Sequence, residues 1–349
     1  MKNTKKYNIY IFISTFTRNI VDIYSVIFLY QKGLSIKSII AIYAITYFIG
    51  TFISSLSIRL GNKFGYKYIL TLSSIVTGLT FYIINKSSNI YLISLFLSLS
   101  MFTYHPIKHY YGLKVLKEQK EIGTVLIYTY LASLLSTYLA IKKTSLILLL
   151  LISIIGIIPA LFIKKEPSVK IKKPQNIPKE KISFFIFDQF KIIFILLEPL
   201  YLYLISNNLT YVGIFNIILT ISSIFCVYLF TSKININKQY KYLNIIFTII
   251  LLLKINTPNK TLLLITAFFE GLGIRLNELI SNTNLYSYSN LSEGYIISSE
   301  KIFCITRSII LTIIYLFNLN LKTSLYLLII GTFILSFKYH PSSKKKNTI

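Results

Sequence analysis

KKEPSVKIKKPQNIPKEK, residues 164–181, holds seven lysines and three prolines. Proline fixes φ and removes a backbone donor, so no regular element runs easily through the stretch. It reads as an exposed linker. Its flanks are the reverse in composition. Before it, apolar runs cover 7–30, 37–58, 68–85, 90–111, 122–141 and 144–163. After it they cover 183–206, 209–231, 242–257, 260–281, 296–318 and 321–337. A bilayer span takes about 20 apolar residues. Six runs on each side predict twelve transmembrane helices, because lipid forces each segment to satisfy its own backbone. The alternation of a membrane barrel is absent. The predicted units are a six-helix half over 1–163, a basic linker over 164–182, a second six-helix half over 183–338 and a tail over 339–349.

Composition agrees. The chain has 349 residues, 54% hydrophobic and 14% charged, with mean hydropathy +0.65. A soluble domain carries about 25% charged residues. A soluble enzyme and a disordered chain are both excluded. The net charge of +26 would by itself suit nucleic acid, but its placement does not. With a cytoplasmic N-terminus, 23 Lys and Arg fall on the cytoplasmic side. Eight fall opposite: Lys32, Lys37, Lys86, Lys142, Lys143, Lys254, Lys260 and Lys322. That bias predicts both termini in the cytoplasm and a bilayer, not a nucleic acid, as partner. The first span carries Arg18 and Asp22 with no small-residue cleavage site after it, so it is expected to stay. Cys226 and Cys304 fall in spans without metal-ligand spacing and read as small core residues. There is no G-x-x-x-x-G-K-[ST] loop, and neither cofactor nor metal is expected.

Two six-helix halves, a basic central loop and cytoplasmic termini resemble the major facilitator superfamily. The loop after span 2, Ile58-Arg59-Leu60-Gly61-Asn62-Lys63-Phe64-Gly65-Tyr66-Lys67, adds to the likeness. The family's pattern there is Gly-x-x-x-Asp-Arg/Lys-x-Gly-Arg/Lys-Arg/Lys. Lys63, Gly65 and Lys67 match it, whereas Ile58, Asn62 and Tyr66 depart from it. Gly65 permits a tight turn. The resemblance implies a cytoplasmic gate at this loop, with Lys63, Gly65, Lys67, Asp188, Glu300 and Arg307 as candidates. Asn62 can hydrogen-bond there but cannot form the family's ion pair. The resemblance also implies that spans 1, 4, 7 and 10 line a central cavity.

Ionisable residues inside spans cost roughly 2.5–3.5 kcal/mol each and are functional candidates by default. Six basic ones (Arg18, Lys108, Lys191, Arg275, Lys301, Arg307) offset six acidic ones (Asp22, Asp188, Glu198, Glu270, Glu278, Glu300). Arg18 and Asp22 share a face of span 1, as do Asp188 and Lys191 in span 7 and Arg275 and Glu278 in span 10. Span 4 adds His105, Pro106, Lys108 and His109. The expected solute and proton cavity is therefore Arg18, Asp22, His105, Lys108, Lys191, Glu198, Glu270 and Arg275, with Asp22 and Glu198 the candidates for carrying a coupling proton.

The function this predicts is a secondary or facilitative transporter of a small polar solute, working by alternating access as a monomer in the plasma membrane. The chain is not expected to be an enzyme. A transport-dead relative acting as sensor or assembly protein is the first alternative. A multi-span transferase is the second, disfavoured by external loops too short to hold catalytic acids.

Overall fold

In the computed structural model, residues 3–115, 119–141, 154, 157–161, 177–230, 236–287 and 293–338 are described. Among them every regular element is helical. The helices are α1 (Asn3–Gln31), α2 (Ile36–Phe64), α3 (Tyr66–Lys86), α4 (Ile90–Val115), α5 (Gln119–Ile141), a short α6 (Ile157–Leu161), α7 (Lys179–Ser206), α8 (Leu209–Phe230), α9 (Ile236–Asn256), α10 (Lys260–Ser287), α11 (Glu293–Leu316) and α12 (Leu321–Lys338). Most of the expected sixth span, the linker up to Asn176 and the tail from Tyr339 lie outside the described residues. At the linker's other end the helix begins early. Pro178 stands before the first turn of α7, so Lys179–Ile182 are helical rather than extended, and Lys181 is buried. Pro suits that place because the first-turn N–H groups have no helical partner anyway.

The turns follow local chemistry. Ser35, Asn89, Asn208, Asn259 and Asn320 stand directly before α2, α4, α8, α10 and α12, and the side-chain oxygen of each accepts a first-turn N–H. Such caps satisfy donors that the helix leaves orphaned. All five precede even-numbered helices, so they mark one end of the bundle. At the other end α2 meets α3 through Gly65 alone, at φ +115°, and its N–H donates to the Gly61 carbonyl at 2.8 Å.

Packing repeats with a period of six helices. The pairs α2–α4, α3–α4, α1–α5 and α3–α6 recur as α8–α10, α9–α10, α7–α11 and α9–α12. The first six helices join the last six chiefly through α2–α11 and α5–α8, which exchange under the same shift, with α1–α7 between. Helix α7 is buried on nearly every side from Ile193 to Leu202. The outer helices are apolar on both faces. On α3, Leu70, Ser73 and Thr77 face inward, while Tyr68, Leu72, Ile75, Leu79 and Tyr82 form an exposed stripe at helical spacing. Water would not tolerate such stripes, and a hydrocarbon solvent removes the penalty. Asn8–Gln31, Ile36–Phe64, Tyr66–Lys86, Ile90–His109, Leu209–Cys226 and Leu321–Lys338 are each long and apolar enough to cross a membrane.

Candidate functional site

A cavity of about 220 Å³ opens where α1 and α5 face α7, α8 and α10. Its wall carries Asn19 of α1, Thr129, Tyr130 and Ser133 of α5, Glu198 and Pro199 of α7, Asn216, Thr220 and Ser223 of α8, and Arg275 and Glu278 of α10. Pro199 cannot donate to the Ile195 carbonyl one turn back, and both residues line the cavity, so the break in the α7 ladder lies at the wall. Gly271 lets α10 approach α8 closely. A Cβ there would strike the Leu219 carbonyl, and the Ser223 hydroxyl donates to the Gly271 carbonyl at 3.1 Å. Arg275 lies across the Tyr130 ring at 3.7 Å from its centroid and is ion-paired with Glu278. The stacking joins α10 to α5, one helix from each set of six.

Behind Glu198 sits a charge cluster. Lys254 of α9 is fully buried and ion-paired with Glu198 and with Glu270 of α10, the latter at 2.7 Å. Its ammonium also lies 4.4 Å from the Phe215 ring centroid. Sequence reasoning assigned Lys254 to the external loops; the structure corrects this. Helix α9 runs on to Asn256 and turns Lys254 inward. A signal existed: Lys254 interrupts the apolar run 242–257, and a lone cation there is too costly to lack a partner. Its partners, 56 residues back and 16 ahead, carried no spacing that could be read.

Of the other expected cavity residues, Arg275 and Glu198 are on the wall, and Glu270 stands behind it. Arg18 is buried elsewhere, between α1, α3 and α4. It donates to the Ser100 carbonyl at 2.7 Å, to the Thr77 hydroxyl at 2.9 Å and to the Ser73 hydroxyl, and stacks 4.0 Å from the Tyr104 centroid. Asp22 is on α1, and its side chain lies outside the described residues. His105 packs its ring against Tyr104, and the Lys108 ammonium lies over the same ring. Lys191 is buried and bonds Asp188 at 2.6 Å, as the i,i+3 spacing implied. The wall thus takes polar residues from α5 and α8, and among the described residues none from α4. The missed residues had a pattern: Thr129 and Ser133 are one turn apart, and Asn216, Thr220 and Ser223 form one stripe.

The expected gate residues lie in two places. Lys63, Gly65 and Lys67 are at the α2–α3 turn, with the two ammonium groups over the Phe64 and Tyr68 rings. Near it, Ile296 and Ile297 of α11 join a core with Tyr10, Ile58, Tyr66 and Ile107. Arg307 of α11 donates to Gln189 of α7 at 2.7 Å, beside Asp188, and Glu300 is buried two turns earlier on α11. Among the described residues no three His, Cys, Asp or Glu side chains converge as a metal site.

No protein-family model matches the chain, and no curated protein does. Solved structures do. A variant of the nucleoside transporter NupG aligns with TM-score 0.69 at 12% identity, over 96% of this chain and 98% of that one. A bacterial homologue of the iron transporter ferroportin, in its outward-facing state, aligns with TM-score 0.68 at 9% identity, over 97% and 98%. The human organic anion transporter MFSD10 aligns with TM-score 0.67 at 9% identity, over 96% and 98%. End-to-end coverage, the six-helix repeat in packing and the apolar outer stripes agree: this is an integral, multi-pass membrane protein with the fold of major facilitator superfamily transporters.

Proposed function

We propose that the chain is a secondary or facilitative transporter that carries a small polar solute across the membrane by alternating access. The observation behind this is the polar cavity, bounded by α1 and α5 on one side and α7, α8 and α10 on the other. Polar and charged groups inside a membrane bundle are costly, and where they line an internal cavity they mark a solute or ion pathway. The arrangement proposed is twelve spans in two six-helix halves, with both termini in the cytoplasm. The gate is assigned to the α2–α3 turn and to the α7–α11 contact at Asp188, Gln189, Glu300 and Arg307. The protein is proposed to act as a monomer in the plasma membrane.

Asp22 and Glu198 remain the candidates for carrying a coupling proton. Glu198 has the better support, because it joins the cavity wall to the buried Lys254 and Glu270. The test is side-resolved labelling of a single cysteine at Ser133 or Asn216, after replacing Cys226 and Cys304. Membrane-impermeant maleimide should reach the new cysteine from either face of the membrane at different times. Labelling from one face only, under every condition, would refute alternating access. Counter-flow of protons during uptake in proteoliposomes, lost in Glu198→Gln, would establish the coupling. Unchanged proton movement in that variant would remove Glu198.

A further inference from the structure

Three of the cavity's hydroxyl protons are already spent. Thr129 donates to the Val125 carbonyl at 2.9 Å and Thr220 to the Asn216 carbonyl at 2.7 Å. Ser223 donates to the carbonyls of Leu219 at 2.8 Å and Gly271 at 3.1 Å. A hydroxyl has one proton and two lone pairs. These three side chains therefore offer a bound molecule lone pairs only. Asn216 turns one amide N–H toward the Tyr24 hydroxyl at 3.4 Å and keeps its carbonyl oxygen and its second N–H for a bound molecule. Thr129 of α5 and Thr220 and Ser223 of α8 thus accept hydrogen bonds and favour a partner that donates them.

The charges point the same way. Glu198 and Glu278 are on the wall, and Glu270 is directly behind. Against these three carboxylates stand two cations, Lys254 and Arg275. The other buried cations nearby are committed elsewhere. Arg18 is turned to Ser73, Thr77 and Ser100, Lys191 to Asp188, and Arg307 to Gln189. Among the described residues the site is therefore one positive charge short, in surroundings where unbalanced charge is expensive. Buried Glu270 Oε1 has no hydrogen-bond partner. Two donors also stand unused: Arg275 Nε and the Tyr130 hydroxyl are buried without a partner, on side chains that are themselves on the wall.

We propose that the cavity's solute is a small hydrophilic amine: a monocation rich in hydroxyl or amino donors, with one acceptor group for Arg275 Nε. Its ammonium is placed between Glu198 and Glu278, and its other donors on Thr129, Asn216, Thr220 and Ser223. Anions are excluded by the carboxylates. Lipophilic cations are excluded because they leave the acceptors unpaired, and a buried acceptor without a donor is costly. This assignment rests on the transporter reading and adds the solute's chemistry to it.

The test uses matched molecules that share a hydroxyl framework and differ in charge: glucosamine, glucose and gluconate, then 3-amino-1,2-propanediol, glycerol and glycerate. Ligands that bind only the folded chain raise its melting temperature by mass action. In the purified full-length protein, the amine of at least one set should stabilise most, the neutral polyol less, and the acid not at all. Glu278→Gln should weaken amine binding by about tenfold or more. Glu278 is half exposed, so this variant should fold. Thr220→Val, which removes one acceptor, should weaken both the amine and the polyol. Stabilisation by an acid equal to its amine overturns the proposal. So does amine binding unchanged in Glu278→Gln, or no stabilisation by any member of either set. The cysteine labelling separates the two readings: two-sided access with an acid preference removes only the solute class, whereas one-sided access removes the transporter.

Discussion

Two equivalent helix triplets hold a buried cation in opposite ways. In α1, α3 and α4, Arg18 is wrapped by Ser73, Thr77, Ser100 and the Tyr104 ring. In α7, α9 and α10, which occupy the same places six helices later, Lys254 is clamped between Glu198 and Glu270. A planar guanidinium with five fixed donors suits a ring of hydroxyls and carbonyls spread over three helices. A compact ammonium suits two carboxylates. Hydroxyls do not change charge, whereas carboxylates can. The first triplet therefore looks built to fix geometry, and the second to respond to charge. The second clamp reaches the cavity wall through Glu198, whereas neither Arg18 nor any of these partners of it is on that wall.

Substitutions can break or sharpen this contrast. The largest effect is expected at Lys254→Met, which leaves two carboxylates buried without a cation and should cost about 3–5 kcal/mol. Melting of the detergent-purified variant reads this. The triple variant Lys254→Met, Glu198→Gln, Glu270→Gln should recover most of the loss. A single variant that melts like the parent would mean that the clamp does not hold the helices. Next is Arg18→Met, which removes the charged donors that Ser73, Thr77 and Ser100 accept from and should cost about 1.5–3 kcal/mol. Arg18→Lys should recover only part, because one ammonium cannot span the three helices. Were Arg18→Met the more damaging of the two, the roles of the triplets would be reversed.

Gly271→Val tests the cavity side. The added side chain meets the α8 backbone at Leu219, and such overpacking costs about 1–3 kcal/mol. It should also move Thr220 and Ser223 relative to Arg275, and so abolish solute-induced stabilisation while the protein still folds. Gly65→Ala at the α2–α3 turn should cost a similar 1–3 kcal/mol for its positive φ but leave ligand binding intact. Equal loss of binding in both variants would show that the cavity does not depend on the α8–α10 approach in particular.

Much of the fold was open to reading from the residues. Apolar runs located the described helices with ends within about six residues, the run 144–163 lying mostly outside the described residues. The i,i+3 spacings foretold Asp188–Lys191 and Arg275–Glu278, since residues on one turn meet whatever surrounds them. The site was read in part. Glu198, Glu270 and Arg275 were singled out as intramembrane charges, but Lys254 was counted as a loop residue and the α5 and α8 stripes were passed over as neutral. Both errors share a cause: charge inside the sequence draws attention, and hydroxyls and helix-end lysines do not.

What the sequence determined by itself is therefore what depends on near neighbours: helical segments, their polar caps, pairs along one face and the bilayer as solvent. Hydropathy is a sum over about 20 adjacent residues, and a helix closes its own hydrogen bonds. What only the tertiary structure decided is which faces meet: that Glu198 and Glu270 converge on Lys254, that Arg18 turns away from the cavity, and that Arg275 crosses to Tyr130. Those contacts depend on the rotation of each helix about its axis and on its close approach to others. Residues far apart in the chain set both together, and no local pattern records the result.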